Sequence, residues 1–147
     1  MKTILFVCTG NTCRSPMAEG IFNVLARGSG INARACSRGV SVWARSPATP
    51  DAVDAAAAYG ANISSHESRM VTEDIVDAAD AVYCMTESHR AALERMYPRH
   101  SYKLYLLSED GVPDPFLGGA EVYAAAAGKI ESALRKIVKS LERGDFK

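Results

Sequence analysis

The sequence lacks both the long apolar run of a membrane protein and the charge excess of a nucleic-acid-binding protein. No hydrophobic stretch among its 147 residues approaches the roughly 20 residues that span a bilayer. Lysine plus arginine equals aspartate plus glutamate at 17 each, so no basic surplus is available for binding a polynucleotide. The apolar segment 3–7 is too short for a signal peptide, and no small-residue cleavage site follows it. We therefore expect a cytoplasmic protein with no nucleic-acid or membrane partner.

Cysteine is scarce, and its spacing fits neither a metal site nor a disulfide framework. The four cysteines are Cys8, Cys13, Cys36 and Cys84. No Cys-x-x-Cys pair or histidine pair follows the first two to complete four zinc ligands. A domain of this size in a reducing compartment does not need disulfides. We expect free thiols and neither metal nor cofactor.

Strand and helix patterns alternate along the chain. The β-branched or large apolar residues at 3–7, which show no polar–apolar alternation, are typical of a strand buried on both faces of a parallel sheet. The predicted strands are 3–7, 31–37, 81–85 and 103–107, and the predicted helices are 15–27, 50–59, 72–78, 86–96 and 120–141. This order predicts a single α/β domain, 1–147, with a four-stranded parallel sheet covered by helices on both faces, a three-layer Rossmann-like or flavodoxin-like fold.

The segment between the first strand and the first helix, CTGNTCRS at 8–15, has the features of an anion-binding loop. Gly10 and Asn11 tolerate backbone angles that other residues avoid, so the peptide N–H groups are free to converge on an anion. The helix N-terminus adds positive potential, and Arg14 is able to grip two phosphate oxygens in fork geometry. The predicted phosphate-binding residues are Thr9, Gly10, Asn11, Thr12, Cys13, Arg14 and Ser15.

Cys8 is the predicted nucleophile of this loop. Oriented amides, the helix end and Arg14 all favour a thiolate, so we expect Cys8 to be ionised at neutral pH. In-line attack would form a cysteinyl-phosphate that water later hydrolyses, with Ser15 donating a hydrogen bond to the sulfur. Asp114, held between Pro113 and Pro115 in a long loop, is the predicted general acid and base. The long loops at 39–49 and 108–119 are expected to meet Cys8 at the carboxyl ends of the strands.

The motif VCTGNTCRSPMAE at 7–19, with DPF at 114–116, resembles the low-molecular-weight protein tyrosine phosphatase family over essentially the whole chain. The resemblance implies a metal-free protein phosphatase with Cys8 as nucleophile, Arg14 as phosphate binder and Asp114 as general acid and base. It also implies that Ser37 and His66 support the loop by holding Asn11 and Ser15. Phosphorylated proteins are the implied substrates and inorganic phosphate the product, and we expect a monomer.

Thr12, Trp43 and Phe116 are the residues expected to decide the substrate. One bacterial branch of the family resembles protein arginine phosphatases and has a threonine where tyrosine phosphatases have isoleucine or leucine. This chain has Thr12, which leaves room for a planar guanidinium, and Phe116 also fits that branch. Trp43 and Arg69 resemble tyrosine-phosphatase usage instead. We expect phosphoarginine as the substrate, with phosphotyrosine as the alternative.

Two other classes share the loop chemistry. A thiol-dependent arsenate reductase would need two further cysteines near the middle of the chain, where only Cys84 lies. A phosphate-binding module without activity would leave Cys8 and Asp114 unexplained. Cys13 is also expected to form a reversible disulfide with Cys8 under oxidation, because a reactive thiolate beside a second thiol is typical of redox-sensitive sites.

Overall fold

A four-stranded sheet forms the centre of the structure, a computed structural model that describes residues 1–144. Its strands are β1 (Lys2–Cys8), β2 (Ala33–Gly39), β3 (Ala81–Cys84) and β4 (Leu104–Leu106). They lie in the order β2-β1-β3-β4, and every neighbouring pair is parallel. β1 has a partner strand on each side and its residues 4–8 are buried, which explains its uninterrupted apolar sequence.

Five helices connect and cover the strands. They are α1 (Arg14–Ser29), α2 (Pro50–Ala57), α3 (Glu73–Ala78), α4 (Glu87–Met96) and α5 (Gly119–Glu142). The element order agrees with the sequence-based prediction, although β2 lies two residues later than predicted because it stays paired with β1 as far as Gly39. A 3₁₀ helix at Pro98–Lys103 was not predicted and leaves β4 only three residues long.

The two faces of the sheet carry separate apolar clusters. Alternate residues of a strand point to opposite faces, and on β1 Phe6 packs in the cluster with α1 and α5 whereas Leu5 and Val7 pack in the other. The second cluster also contains Val76 of α3 and Leu93 of α4. Helices therefore cover both faces, and the predicted three-layer α/β class is confirmed. The predicted domain bounds, 1–147, include three residues that lie outside the described part.

The carboxyl ends of the strands bring distant segments together. Beyond β2, the amide of Val40 donates to the carbonyl of Cys8 over 3.0 Å, and the amide of Ser41 donates to that of Thr9 over 3.0 Å. Beyond β3, the amide of Val112 donates to the carbonyl of Met85 over 2.8 Å. Both long loops thus begin or pass beside the segment 8–15. Within residues 1–144 no helix has the length and hydropathy of a membrane span.

Candidate active site

The loop at 8–15 links the end of β1 to the start of α1. Asn11 lies in the left-handed region with φ of 59°, a conformation that asparagine tolerates better than most residues. Gly39, paired with Cys8 across β1 and β2, lies directly against the loop. A Cβ atom at position 39 would be 2.5 Å from the carbonyl oxygen of Thr9, so only glycine allows this close approach.

The side chain of Asn11 is fully buried and all of its polar atoms are used. Its Nδ2 donates to Oγ of Ser15 over 2.8 Å and to Oγ of Ser37 over 3.0 Å. Its Oδ1 accepts from the backbone amide of Arg69 over 2.9 Å. The backbone carbonyl oxygen of Asn11 lies 2.7 Å from Nε2 of His66. The structure therefore places Ser37 and His66 against Asn11, where the family resemblance implied them.

The hydroxyl of Ser15 lies 2.8 Å from Sγ of Cys8. Both hydrogens of the Asn11 amide are directed to serine hydroxyls, so Ser15 accepts one of them and keeps its own proton to donate. Sγ of Cys8 is the near acceptor, since the carbonyl of Arg38 is 3.5 Å away. The hydroxyl of Ser37 donates a hydrogen bond to Oε1 of Glu19 over 2.6 Å. The network thus orients the Ser15 proton toward the sulfur.

Two opposing influences act on the pKa of Cys8. Burial, the larger, raises the pKa of this thiol, whereas hydrogen bonds from the hydroxyl and amide of Ser15 and the positive charge of Arg14 lower it. Burial outweighs the others because Cys8 is only 2% exposed and a thiolate there loses its hydration. The pKa is therefore raised, opposite to the direction predicted from the sequence.

Arg14 connects the loop to the segment that contains Asp114. Its Nη1 donates to the carbonyl of Val112 over 2.9 Å, and its Nη2 lies 3.9 Å from Oδ2 of Asp114. The guanidinium is buried, whereas the Asp114 side chain is 55% exposed. Oδ1 of Asp114 accepts from the amide of Phe116 over 3.0 Å. Arg14 and Phe116 therefore orient this carboxylate, in addition to the flanking prolines.

A small cavity of about 180 Å³ lies over the loop, and the predicted reacting groups share it. It is lined by Cys8, Thr9, Gly10, Asn11, Thr12, Cys13, Arg14, Asp114 and Phe116. Trp43 does not line it. That side chain is 95% exposed and lies instead in a neighbouring groove with Arg38, Arg45 and Arg69. Of the three predicted specificity residues, Thr12 and Phe116 are at the cavity and Trp43 is not.

The side chain of Cys13 contacts residues that lie far from the loop in the sequence. Its Sγ lies 3.2 Å from the hydroxyl of Tyr123 and 3.6 Å from Oγ1 of Thr49. Tyr123 is buried, and burial raises its pKa to about 12. Cys8 and Cys13 are both free thiols and line the same cavity. The disulfide between them stays a prediction.

His89 also contacts the loop, and no sequence motif pointed to it. Its Nε2 lies 2.7 Å from Oγ1 of Thr9. The signal that could have found it is the Thr86-x-x-His89 spacing at the start of α4, directly after β3, because that position lies at the same edge of the sheet as Cys8. Tyr123, Glu19 and Val112 were missed as well, since each reaches the site only through tertiary contacts.

Metal and redox-relay chemistry were also considered. In the described part of the chain, no group of three or more histidine, cysteine, aspartate or glutamate side chains is arranged to hold a metal ion. Cys84, the only mid-chain cysteine, is fully buried in β3, and burial raises its pKa to about 12. Such a thiol does not fit the relay of an arsenate reductase.

A Cys-x5-Arg loop at the carboxyl end of a central parallel strand, with an aspartate facing the arginine, defines a cysteine-dependent protein phosphatase. The model of the family described as "Low molecular weight phosphotyrosine protein phosphatase" matches residues 3–145. The chain belongs to this family.

The relatives include phosphatases of two specificities. A protein-arginine-phosphatase of Bacillus subtilis is 37% identical over 95% of this chain and 97% of its own. The low-molecular-weight protein-tyrosine-phosphatase Etp of Escherichia coli is 30% identical over 97% of this chain and 96% of its own. A solved mutant of the YwlE arginine phosphatase with a phosphorylated active-site serine has a TM-score of 0.92 and 35% identity, covering 97% of each chain. The fold and the phosphatase class are therefore shared with these proteins.

Proposed function

We propose that this phosphatase removes phosphate from arginine side chains of proteins. The observation that carries the proposal is the position of Thr12, which lines the cavity together with Cys8 and Asp114. A threonine leaves space at this wall for the planar guanidinium, and its hydroxyl is available to a guanidinium nitrogen or to water. The similarity to a Bacillus subtilis protein-arginine-phosphatase supports the same substrate.

In the proposed reaction Cys8 attacks phosphorus as the thiolate, which Ser15 and Arg14 favour against the larger, opposing effect of burial. The P–S bond forms as the P–N bond to the guanidinium breaks, and Asp114 transfers its proton to the leaving nitrogen. Water then attacks the cysteinyl-phosphate while Asp114 takes up the water's proton. The P–S bond breaks, so inorganic phosphate leaves and the Cys8 thiolate returns. Arg14 and the loop amides bind the phosphoryl oxygens in both steps.

Phosphotyrosine is the second candidate. The E. coli tyrosine phosphatase covers this chain almost completely, and Phe116 at the cavity is 58% exposed, so its ring offers a surface for a phenol as well as for a guanidinium. The same Cys8, Arg14 and Asp114 would act on a P–O bond. The two substrates differ in what contacts Thr12.

We further propose that the protein acts as a monomer in the cytoplasm. A reaction through Cys8 requires a free thiol, which a reducing compartment maintains. All four cysteines are free thiols in the structure. The catalytic residues of the proposal, Cys8, Arg14 and Asp114, come from one chain and surround one cavity, so no second subunit is needed to complete it.

The deciding experiment compares kcat/KM on matched phosphoarginine and phosphotyrosine peptides for the wild type and Thr12→Ile. We expect the wild type to prefer phosphoarginine and Thr12→Ile to lose about tenfold or more on that peptide, since the larger side chain fills the space next to the guanidinium. Thr12→Ser is the matched control and should keep the preference. A wild-type preference for phosphotyrosine that Thr12→Ile leaves unchanged would refute phosphoarginine.

A further inference from the structure

His89 contacts the phosphate loop from α4, a helix that the reaction described above does not use. It is the third residue of α4, and its side chain is only 5% exposed. Its Nε2 lies 2.7 Å from Oγ1 of Thr9, the residue that follows Cys8. Arg14 and Asp114 are both near enough to influence its pKa. A buried imidazole therefore lies directly behind the loop.

The second ring nitrogen shows which atom of His89 carries the proton. The backbone N–H of Thr86 is 3.2 Å from Nδ1, and because an amide N–H only donates, Nδ1 must be the acceptor. A neutral ring then has its hydrogen on Nε2 and donates it to Oγ1 of Thr9. Burial and, next, the charge of Arg14 lower the pKa of His89 to about 4, so the ring is neutral near pH 7.

This donation leaves the Thr9 hydroxyl with a proton of its own. Among residues 1–144, His89 is the one group hydrogen-bonded to that hydroxyl. Thr9 is exposed and lines the cavity together with Cys8 and Arg14. The hydroxyl is therefore available to donate to whatever occupies the cavity.

We propose that His89 is a positioning residue, which holds the Thr9 hydroxyl as a hydrogen-bond donor to the phosphoryl group. Two successive hydrogen bonds then run from Nε2–H of His89 to Oγ1 of Thr9 and from the Thr9 hydroxyl to a phosphoryl oxygen. Each hydrogen bond polarises the next, and a donor fixed in advance stabilises developing charge without reorganisation. The proposal rests on the phosphate-binding role of the loop and holds for phosphoarginine and phosphotyrosine alike.

Two substitutions separate this role from the part that His89 plays in capping α4. In His89→Gln the amide nitrogen reaches the place of Nε2 and still donates to Thr9. In His89→Asn the amide oxygen takes the place of Nδ1 and still accepts from Thr86, but Thr9 is out of reach. The first variant keeps the contact to the loop, and the second keeps the cap.

We expect His89→Asn to lower kcat/KM for p-nitrophenyl phosphate about tenfold and to weaken competitive inhibition by inorganic phosphate about tenfold, as the loss of a hydrogen bond to a charged group predicts. Thr9→Val should lower kcat/KM and weaken phosphate inhibition to the same extent. His89→Gln and Thr9→Ser should stay within about threefold of wild type. In the double variant, Thr9→Val should add less than about twofold to His89→Asn, because both remove the same interaction.

A spectroscopic readout and a structural control complete the test. The ¹⁵N–¹H resonance of Nε2 in His89 should move when inorganic phosphate is added to wild type and stay in place in Thr9→Val. Thr86→Ala, which removes a capping hydroxyl, should lower Tm without weakening inhibition by phosphate. Equal phosphate inhibition in His89→Asn and His89→Gln, or the full His89→Asn loss in Thr86→Ala, would overturn the proposal. A wild-type protein inactive on every phosphate ester and phosphoarginine peptide would instead refute the proposed function.

Discussion

Ser15 donates a hydrogen bond to the sulfur of Cys8 over 2.8 Å, and Asn11 sets this direction. The amide of Asn11 has two hydrogens and gives one to Ser15 and one to Ser37. Ser15 therefore accepts a hydrogen bond from Asn11 and keeps its own proton, which points toward the sulfur of Cys8. A donor at this position stabilises the thiolate as nucleophile and again as leaving group.

Removing that donor should slow the second step more than the first. We expect Ser15→Ala to lower kcat about tenfold and to move the pH profile of Cys8 alkylation by iodoacetamide to higher pH, because the hydroxyl lowers the pKa of this thiol. Stopped-flow kinetics with p-nitrophenyl phosphate measure the fall in kcat: a slowed second step appears as a burst of nitrophenol followed by slower turnover. Cys36→Ser is the control and should leave both properties unchanged. An unshifted alkylation profile in Ser15→Ala would contradict the assigned direction.

Asp114→Asn tests the proposed proton donor with little change in geometry. The asparagine oxygen is able to keep the hydrogen bond from the Phe116 amide, but the group no longer supplies a proton. We expect kcat/KM, which reports the first step alone, to fall by about 10²-fold or more for substrates with poor leaving groups, and by much less for activated aryl phosphates. A series of aryl phosphates with leaving groups of increasing pKa measures the slope. A loss that is the same across the series would show that Asp114 does not protonate the leaving group.

The predicted disulfide between Cys8 and Cys13 would protect the nucleophile from irreversible oxidation. Both thiols line one cavity, and Cys13 is at present engaged with Tyr123. We expect wild type and Cys36→Ser to regain activity when peroxide treatment is followed by a reductant. Cys13→Ser should regain only a minor part, because the sulfenic acid of Cys8 has no partner thiol and oxidises further. Full recovery of Cys13→Ser, with sulfinic acid absent from the mass spectrum, would disprove the protection.

The depressed pKa of His89 also predicts how stability depends on pH. A histidine whose pKa is about 4 in the folded state and about 6.5 in the unfolded chain binds fewer protons when folded. Acid therefore favours unfolding, and the free energy of unfolding should fall by up to about 3 kcal/mol as the pH drops from about 6.5 to about 4.

Urea unfolding at several pH values in this range measures the effect. His89→Gln does not titrate there, so its free energy of unfolding should depend less steeply on pH than that of wild type. The difference between the two slopes is the contribution of His89. Parallel curves for wild type and His89→Gln would show that this ring does not govern the acid limb.

The core of the site was readable from the sequence because its chemistry is local. Cys8, Asn11 and Arg14 are neighbours in one loop, and the apolar run of β1 and the helical spacing after it define where that loop begins and ends. The peptide N–H groups of such a loop converge on an anion through its own backbone geometry, and Ser37 and His66 then hold Asn11 in place. For the same reason the order of strands and helices, and the α/β class, followed from periodicity alone.

Tertiary structure decided which groups surround that loop and how they act on it. His89 and Tyr123 reach Thr9 and Cys13 across 80 and 110 residues of sequence, distances over which no local pattern predicts contact. The exposure of Trp43 outside the cavity and the raised pKa of Cys8 likewise depend on the packing of the whole edge of the sheet. The sequence alone determined the candidate reacting groups, whereas burial and the direction of each hydrogen bond exist only once distant segments are packed together.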